Sequence, residues 1–247
     1  MDTLEKFCIF ASVMAPTNMN CKYTKHLIII ASLAFSCLFT SCSANRGFVS
    51  TAKRAEIKQV QQFEPLTLIG VIEKDDKMAY SDSLTEIAQG LFETALDNDE
   101  ILPVTGKIII EDSIINNRVQ YEIYMMMRYI DGRVRVKDIP IPPTIDSILE
   151  ARSERFGLLA YSRGFVRTDN NYNKEVGKGV AVSLLTLGTY NSMPYKYVTH
   201  CGIVIVDSQN DNIAFVNAES YNYHPLKAET YKKLMSELVR IFKKQYN

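Results

Sequence analysis

The apolar run at residues 27–39, "LIIIASLAFSCLF", constrains this chain most, because such a segment belongs in a bilayer, in a core or in an export signal. It holds 13 residues, whereas a helix needs roughly 20 to cross the hydrocarbon layer. It is too short to span. Lys22, Lys25 and His26 precede it, and the small polar residues Thr40 and Ser41 follow it. That order is the layout of a secretory signal.

Cys42 comes next, ending the stretch "LFTSC" and followed by small polar residues. This resembles the lipobox of bacterial lipoproteins, in which the cysteine is acylated and becomes the mature N-terminus. Phe39 and Ser41 stand where the strict pattern prefers Leu and a smaller residue, a looser form that resembles boxes of the Bacteroidetes. Cys37 is an alternative cleavage point, and a plain signal or an uncleaved anchor is the competing reading. Residues 1–18 stand ahead of an already complete signal, so translation is expected to begin at Met19 or, with a longer basic region, at Met1.

The expected organisation is a signal over residues 1–41, a lipidated cysteine with a polar tether over 42–62, and a single α/β domain over 63–247. Removing 1–41 leaves enough chain for one sizeable core. The full chain carries 28 basic and 28 acidic side chains. Lys6, Lys22 and Lys25, with Asp2 and Glu5, lie in the signal, so the remainder stays balanced. A balanced chain has no electrostatic reason to seek a phosphate backbone, and nucleic acid is not an expected partner.

Of the five cysteines, Cys8, Cys21 and Cys37 precede the cleavage point and Cys42 would carry lipid, leaving Cys201. One thiol forms no internal disulfide. With His200 and His224 it offers no zinc-ligand spacing, so neither a metal nor a cofactor is expected.

Along the domain, residues 66–72 read as a strand ended by the charges of Glu73 to Asp76. Leu84, Ile87, Ala88, Leu91, Phe92 and Ala95 recur at helical spacing behind an N-cap at Ser81 or Asp82. Short extended pieces are expected over 100–112. Residues 115–130 fit a helix and also alternate at Tyr121, Ile123 and Met125; length favours the helix, with its Met cluster read as core filling. A second helix, Pro142 to Arg155, opens on Pro142 and Pro143 and buries a stripe of Ile145, Ile148, Leu149 and Arg152. Residues 157–166 read as a strand covered on both faces. Residues 169–179 then read as a polar loop, and 180–190, 198–206 and 213–218 as three strands of an antiparallel meander. A closing helix spans 226–242. The fold class is therefore α/β (α+β): a mixed sheet with helices packed on it, a C-terminal antiparallel meander and a closing helix.

This order, with the strand pair "CGIVIVDSQNDNIAFV", resembles the periplasmic lipoprotein domains of the CsgG, LpoB and TolB N-terminal type. The resemblance rests on order rather than on a signature, and no functional residue is carried over from it.

The sharpest catalytic pattern is Cys201 with His224 as base. His200 is a neighbour of Cys201 and points to the opposite face. Cys201 shares its face with Ile203 and Ile205, the setting of an inert thiol. His200 reads as a core or edge histidine, and His224 as part of a loop entering a helix, with Tyr221 and Tyr223 beside it. Glu73, Asp75 and Asp76 read as a solvated strand end, and "GKG" at 177–179 as a turn lacking phosphate-loop spacing. Arg152, Arg155, Arg163 and Arg167 are candidates for an anionic groove, with Arg155 opposing a helix dipole. The expected function is a non-enzymatic lipoprotein of the cell envelope, anchored at Cys42 in the outer membrane on the periplasmic side, whose domain binds an envelope protein partner. The alternative is a lipid-anchored thiol hydrolase acting on wall peptides or glycans through Cys201 and His224.

Overall fold

A computed structural model of the protein describes residues 52–131, 139–190 and 193–244. The chain divides into two units, Met1–Asn45 and Arg46–Asn247, and every described residue belongs to the second. Cys42 lies outside the described residues.

The sheet is organised around one long strand, β5 (Phe156–Arg167), whose first seven residues are all buried. Burial on both faces requires a run with few polar side chains, and "FGLLAYS" supplies it. Along one edge β5 pairs antiparallel with β6 (Tyr197–Asp207), which pairs antiparallel with β7 (Asn212–Tyr221). The other edge is shared. β1 (Val60–Gln62) runs parallel to the start of β5, and β2 (Leu66–Lys74) runs parallel to its second half. Pro65 stands between the two and has no N–H to give to a ladder. β3 (Lys77–Tyr80) extends the sheet beyond β2, antiparallel, and β4 (Val104–Lys107) extends it beyond β1, parallel.

Helices cover both faces. Side chains alternate along β5, so Leu158 and Ala160 join one core cluster while Leu159 and Tyr161 join the other. The first cluster is closed by α1 (Asp82–Asp97), through Ala88, Phe92 and Leu96, and by α5 (Ala228–Lys244), through Tyr231, Leu234, Leu238 and Phe242. The second is closed by α2 (Ser113–Asp131), through Val119, Ile123, Met126 and Met127, and by α3 (Pro143–Ala151), through Ile145 and Leu149. Of the Met cluster, Met126 and Met127 fill core. Between β6 and β7 the register slips, because Ile205 faces Phe215 while Val206 faces Ile213. Ala214 is the extra residue, and it therefore shares the first cluster with Phe215.

Capping is local in one helix and long-range in another. Ser81 caps α1, its Oγ accepting from the Leu84 N–H at 3.5 Å. Pro142 precedes α3 and has no side chain that can do this. The buried Glu122 on α2 does it instead, its carboxylate accepting from Thr144 N at 3.2 Å and Ile145 N at 3.1 Å. A charge at a helix N-terminus also meets the positive end of the dipole.

Three expectations are corrected. Ordered structure begins before Phe63: Ala52, Ile57 and Val60 are buried in the first cluster, and β1 takes residues that read as tether. Their low apolar content hid three widely spaced anchors. The first strand runs past its expected end at Ile72 to Lys74, and the exposed charges that close it also turn a hairpin. Asp75 and Asp76, both at positive φ (48° and 57°), form the two-residue link between β2 and β3, the geometry that suits twisted hairpins. The third correction is the largest. Residues read as a loop and a strand form one helix, α4 (Asp169–Leu185), N-capped by Thr168. Val180 and Val182 favour strands only weakly, and β6, the next strand along the chain, has both edges taken, by β5 and by β7. The antiparallel meander exists, but its first strand is β5.

Candidate functional site

The single free thiol of the described residues lies in the first core cluster, with no exposure. Cys201 Sγ donates to Ser162 Oγ at 3.4 Å, and Ser162 Oγ donates to Tyr231 Oη at 3.3 Å. Burial pushes the thiol up to about 12, and the hydroxyl of Ser162 only partly counters this. A thiol so desolvated supplies almost no thiolate near neutral pH. Burial likewise raises the Tyr231 phenol far above its ordinary range, so neither group is set up as an acid or a base.

His224 is not beside it. Its ring lies over Tyr197 with centroids 4.3 Å apart, and Tyr197 precedes Cys201 by four residues on β6, about 13 Å along a strand. The imidazole has structural work. Nδ1 accepts from Leu226 N at 3.2 Å, and the His224 carbonyl accepts from Thr230 Oγ1 at 2.8 Å, which fixes the turn into α5. Burial, then Lys227 and Lys196, hold its pKa below the ordinary histidine value. The sequence pair Cys201 and His224 is therefore not assembled into a nucleophile and base. Tyr221 and Tyr223 stack at 5.2 Å nearby, with Lys233 over Tyr223.

A polar cluster that the sequence did not reveal lies on the opposite face. Asp131, the last residue of α2, pairs with Arg163 at 2.6 Å and stands 3.7 Å from His200 Nε2. Arg163 and His200 are direct cross-strand partners. Tyr161 shares their face, and its buried Oη has no hydrogen-bond partner among the described residues. Burial and then the Asp131 charge raise its phenol well above the usual tyrosine range. Gly202 makes this possible, because a Cβ there would stand 2.3 Å from Tyr161 Cζ. No spacing rule links residues 131, 161 and 200; only strand register joins them.

The four arginines do not share a groove. Arg155 grips the buried Asp207 in a bidentate pair, Nε to Oδ1 at 2.9 Å and Nη2 to Oδ2 at 2.7 Å, with Glu56 beside it at 3.4 Å. Burial raises the Asp207 carboxyl, but the Arg155 and Asn210 hydrogen bonds outweigh it and hold the group below its ordinary value. Arg163 serves Asp131, and Arg167 pairs with Asp76 and Asn171. Arg152 is exposed at the end of α3. "GKG" lies inside α4 rather than in a turn.

A groove of about 830 Å³ lies between α1 and α5. Leu91, Ala95, Ile101 and Val239 form its apolar floor, and Lys232 and Lys243 stand on its rim. Among the described residues no group of three or more His, Cys, Asp or Glu is placed to hold a metal, and no helix is long and apolar enough to cross a membrane.

No family model matches the chain, and no curated protein matches it. Among solved structures it is similar to the PelC dodecamer from Paraburkholderia phytofirmans, at 8% identity and TM-score 0.35 over 77% of this chain and 91% of that one. It is also similar to the lipoprotein GNA1162 from Neisseria meningitidis, at 10% identity and TM-score 0.31 over 77% of this chain and 99% of that one. Both likenesses are too slight to support an argument about what this chain does.

Proposed function

We propose that the chain is a non-enzymatic lipoprotein of the cell envelope, held by an acylated Cys42 in the outer membrane on its periplasmic side, whose α/β domain binds another envelope component. The observation that carries this reading is the sequence "LFTSC" directly behind a signal-like apolar core. Residues 1–41 are then removed on export, and the stretch from Cys42 to the first buried residue, Ala52, is the tether. The groove between α1 and α5 supports the binding role, since it joins an apolar floor to a charged rim, as binding surfaces do.

Two experiments test it. Metabolic labelling with a palmitate analogue is expected to mark the wild-type chain and to be lost in Cys42→Ala; equal labelling of both ends the anchor reading. A photo-crosslinking side chain placed at Ser236 in the groove is expected to capture an envelope protein in whole cells. The same probe at Tyr121, on α2, is not. Equal capture at both positions, or none at Ser236, removes the groove as the docking surface.

A further inference from the structure

The end of α4 carries a run of exposed apolar side chains. Leu184, Leu185 and Leu187 are 72%, 86% and 92% exposed, and Val180 and Val182 are exposed beside them. Scattered apolar residues on a surface need no explanation, but a contiguous group does. No charged side chain occurs from Gly179 to Tyr195. α4 is rooted at the end of β5, where Arg167 binds the Tyr195 carbonyl at 3.0 Å, and it is about 25 Å long at the usual rise. It is an arm with an apolar end.

The distribution of those residues decides what fits them. At 100° per residue, Val180 and Leu184 fall on one side of the helix, while Val182 and Leu185 fall on others; Leu187 lies past the helix end, in the turn, at a φ of 50°. A helix that docks in a protein groove shows a single stripe, as α5 does with Tyr231, Leu234, Leu238 and Phe242. An end that is apolar around most of its circumference suits a solvent that is apolar on all sides. At its base stand Lys178 and Lys196, with Tyr190 and Tyr195 exposed on the returning chain. Tyr and Lys mark the level of a membrane interface. From Lys178 to Leu185 the helix rises about 10 Å, the depth to which interfacial helices bury their apolar side.

We propose that the end of α4, Val180 to Leu187, inserts into one leaflet of a lipid bilayer and gives the domain a membrane contact of its own. The inference does not rest on acylation at Cys42. Lys178 and Lys196 are already paired with Glu175 and Asp169, each at 2.6 Å, so apolar insertion rather than charge drives the contact.

The chain contains no tryptophan, so a single one reports its own surroundings. The full chain carrying Leu185→Trp is mixed with phosphatidylcholine vesicles, and with vesicles of phosphatidylethanolamine and phosphatidylglycerol. In both, the emission is expected to shift to the blue and to be quenched when the acyl chains carry bromine. The same probe as Tyr121→Trp stays unshifted. Adding Leu184→Asp and Leu187→Asp to the Leu185→Trp chain is expected to abolish the quenching, while the circular dichroism of the fold is kept. Quenching that survives Cys42→Ser supports the arm whether or not palmitate labelling has upheld the anchor. Three results overturn the proposal: no quenching at position 185 in chain bound to vesicles, quenching confined to anionic vesicles and removed by salt, or a blue shift without lipid that grows with protein concentration. The last would mean that the arm closes on a second copy.

Discussion

α5 and α4 are both 17-residue helices of one domain, yet they stand in opposite relation to it. α5 buries seven residues at helical spacing against β6, β7 and α1, and its polar residues face outward. α4 buries only Asn171 and Gly179 and carries its largest apolar side chains into the open. The first helix exists because tertiary packing rewards its stripe. The second is set by its cap and by pairs such as Lys178 with Glu175, while the neighbouring strand β6 is already paired on both edges. Apolar content alone therefore says nothing about which side of a fold a helix serves.

The widest gap between the two should appear on truncation. Phe242→Ala removes a ring that packs edge-on against Phe215 at 5.0 Å and should cost about 3–5 kcal/mol. Leu185→Ser in the arm should stay within about 0.5 kcal/mol of wild type. Urea unfolding of both variants checks the pair, and a loss at Leu185 as large as that at Phe242 would mean that the arm packs on the domain. Gly202→Ala comes next, since the added methyl meets the buried Tyr161 ring, and overpacking of this kind costs about 1–3 kcal/mol. Glu122→Ala should follow at about 1–2 kcal/mol, because it strips the only side-chain cap of α3. Hydrogen exchange should localise that loss to Thr144 and Ile145.

Cys201 sharpens the comparison without a substitution. Iodoacetamide should reach it only as fast as the domain unfolds, since the folded thiol is buried and pushed up to about 12. Rapid labelling of the folded protein at neutral pH would show that the core around α5 opens as readily as the arm.

The smallest expected effect is that of pH. His224 has a depressed pKa in the fold, so the unfolded chain binds its proton first, and the stability it supports is complete above about pH 6.5 and declines as pH falls below that value. Asp207 is also depressed, and its contribution persists above about pH 3.9 and is lost only as pH falls further, through the folded value. Thermal melts between these two values should show a shallow loss that His224→Asn removes.

Much of this architecture was legible in residue order. The stripes of α1 and α5, the doubly buried run of β5 and the proline-opened α3 each follow from periods and caps that lie within a few residues of one another. The site chemistry was half legible. Alternation along β6 placed Cys201 and His200 on opposite faces, but Asp131 beside Arg163 and His200 could not be read, because 32 and 69 residues of chain separate it from the partners that strand register and helix packing bring to it. The Glu122 cap on α3 escaped for the same reason.

By itself the sequence determined where α1 and α3 begin and which side chains of α1 and α5 recur on one face, since these depend on backbone geometry within a turn or two. It also determined that residues 27–39 are too short to span a membrane. Only the tertiary structure decided that residues 180–185 form an exposed helical end and not a meander strand. A strand needs a partner edge, and whether β6 has one left depends on β5 and β7, which take both of its sides.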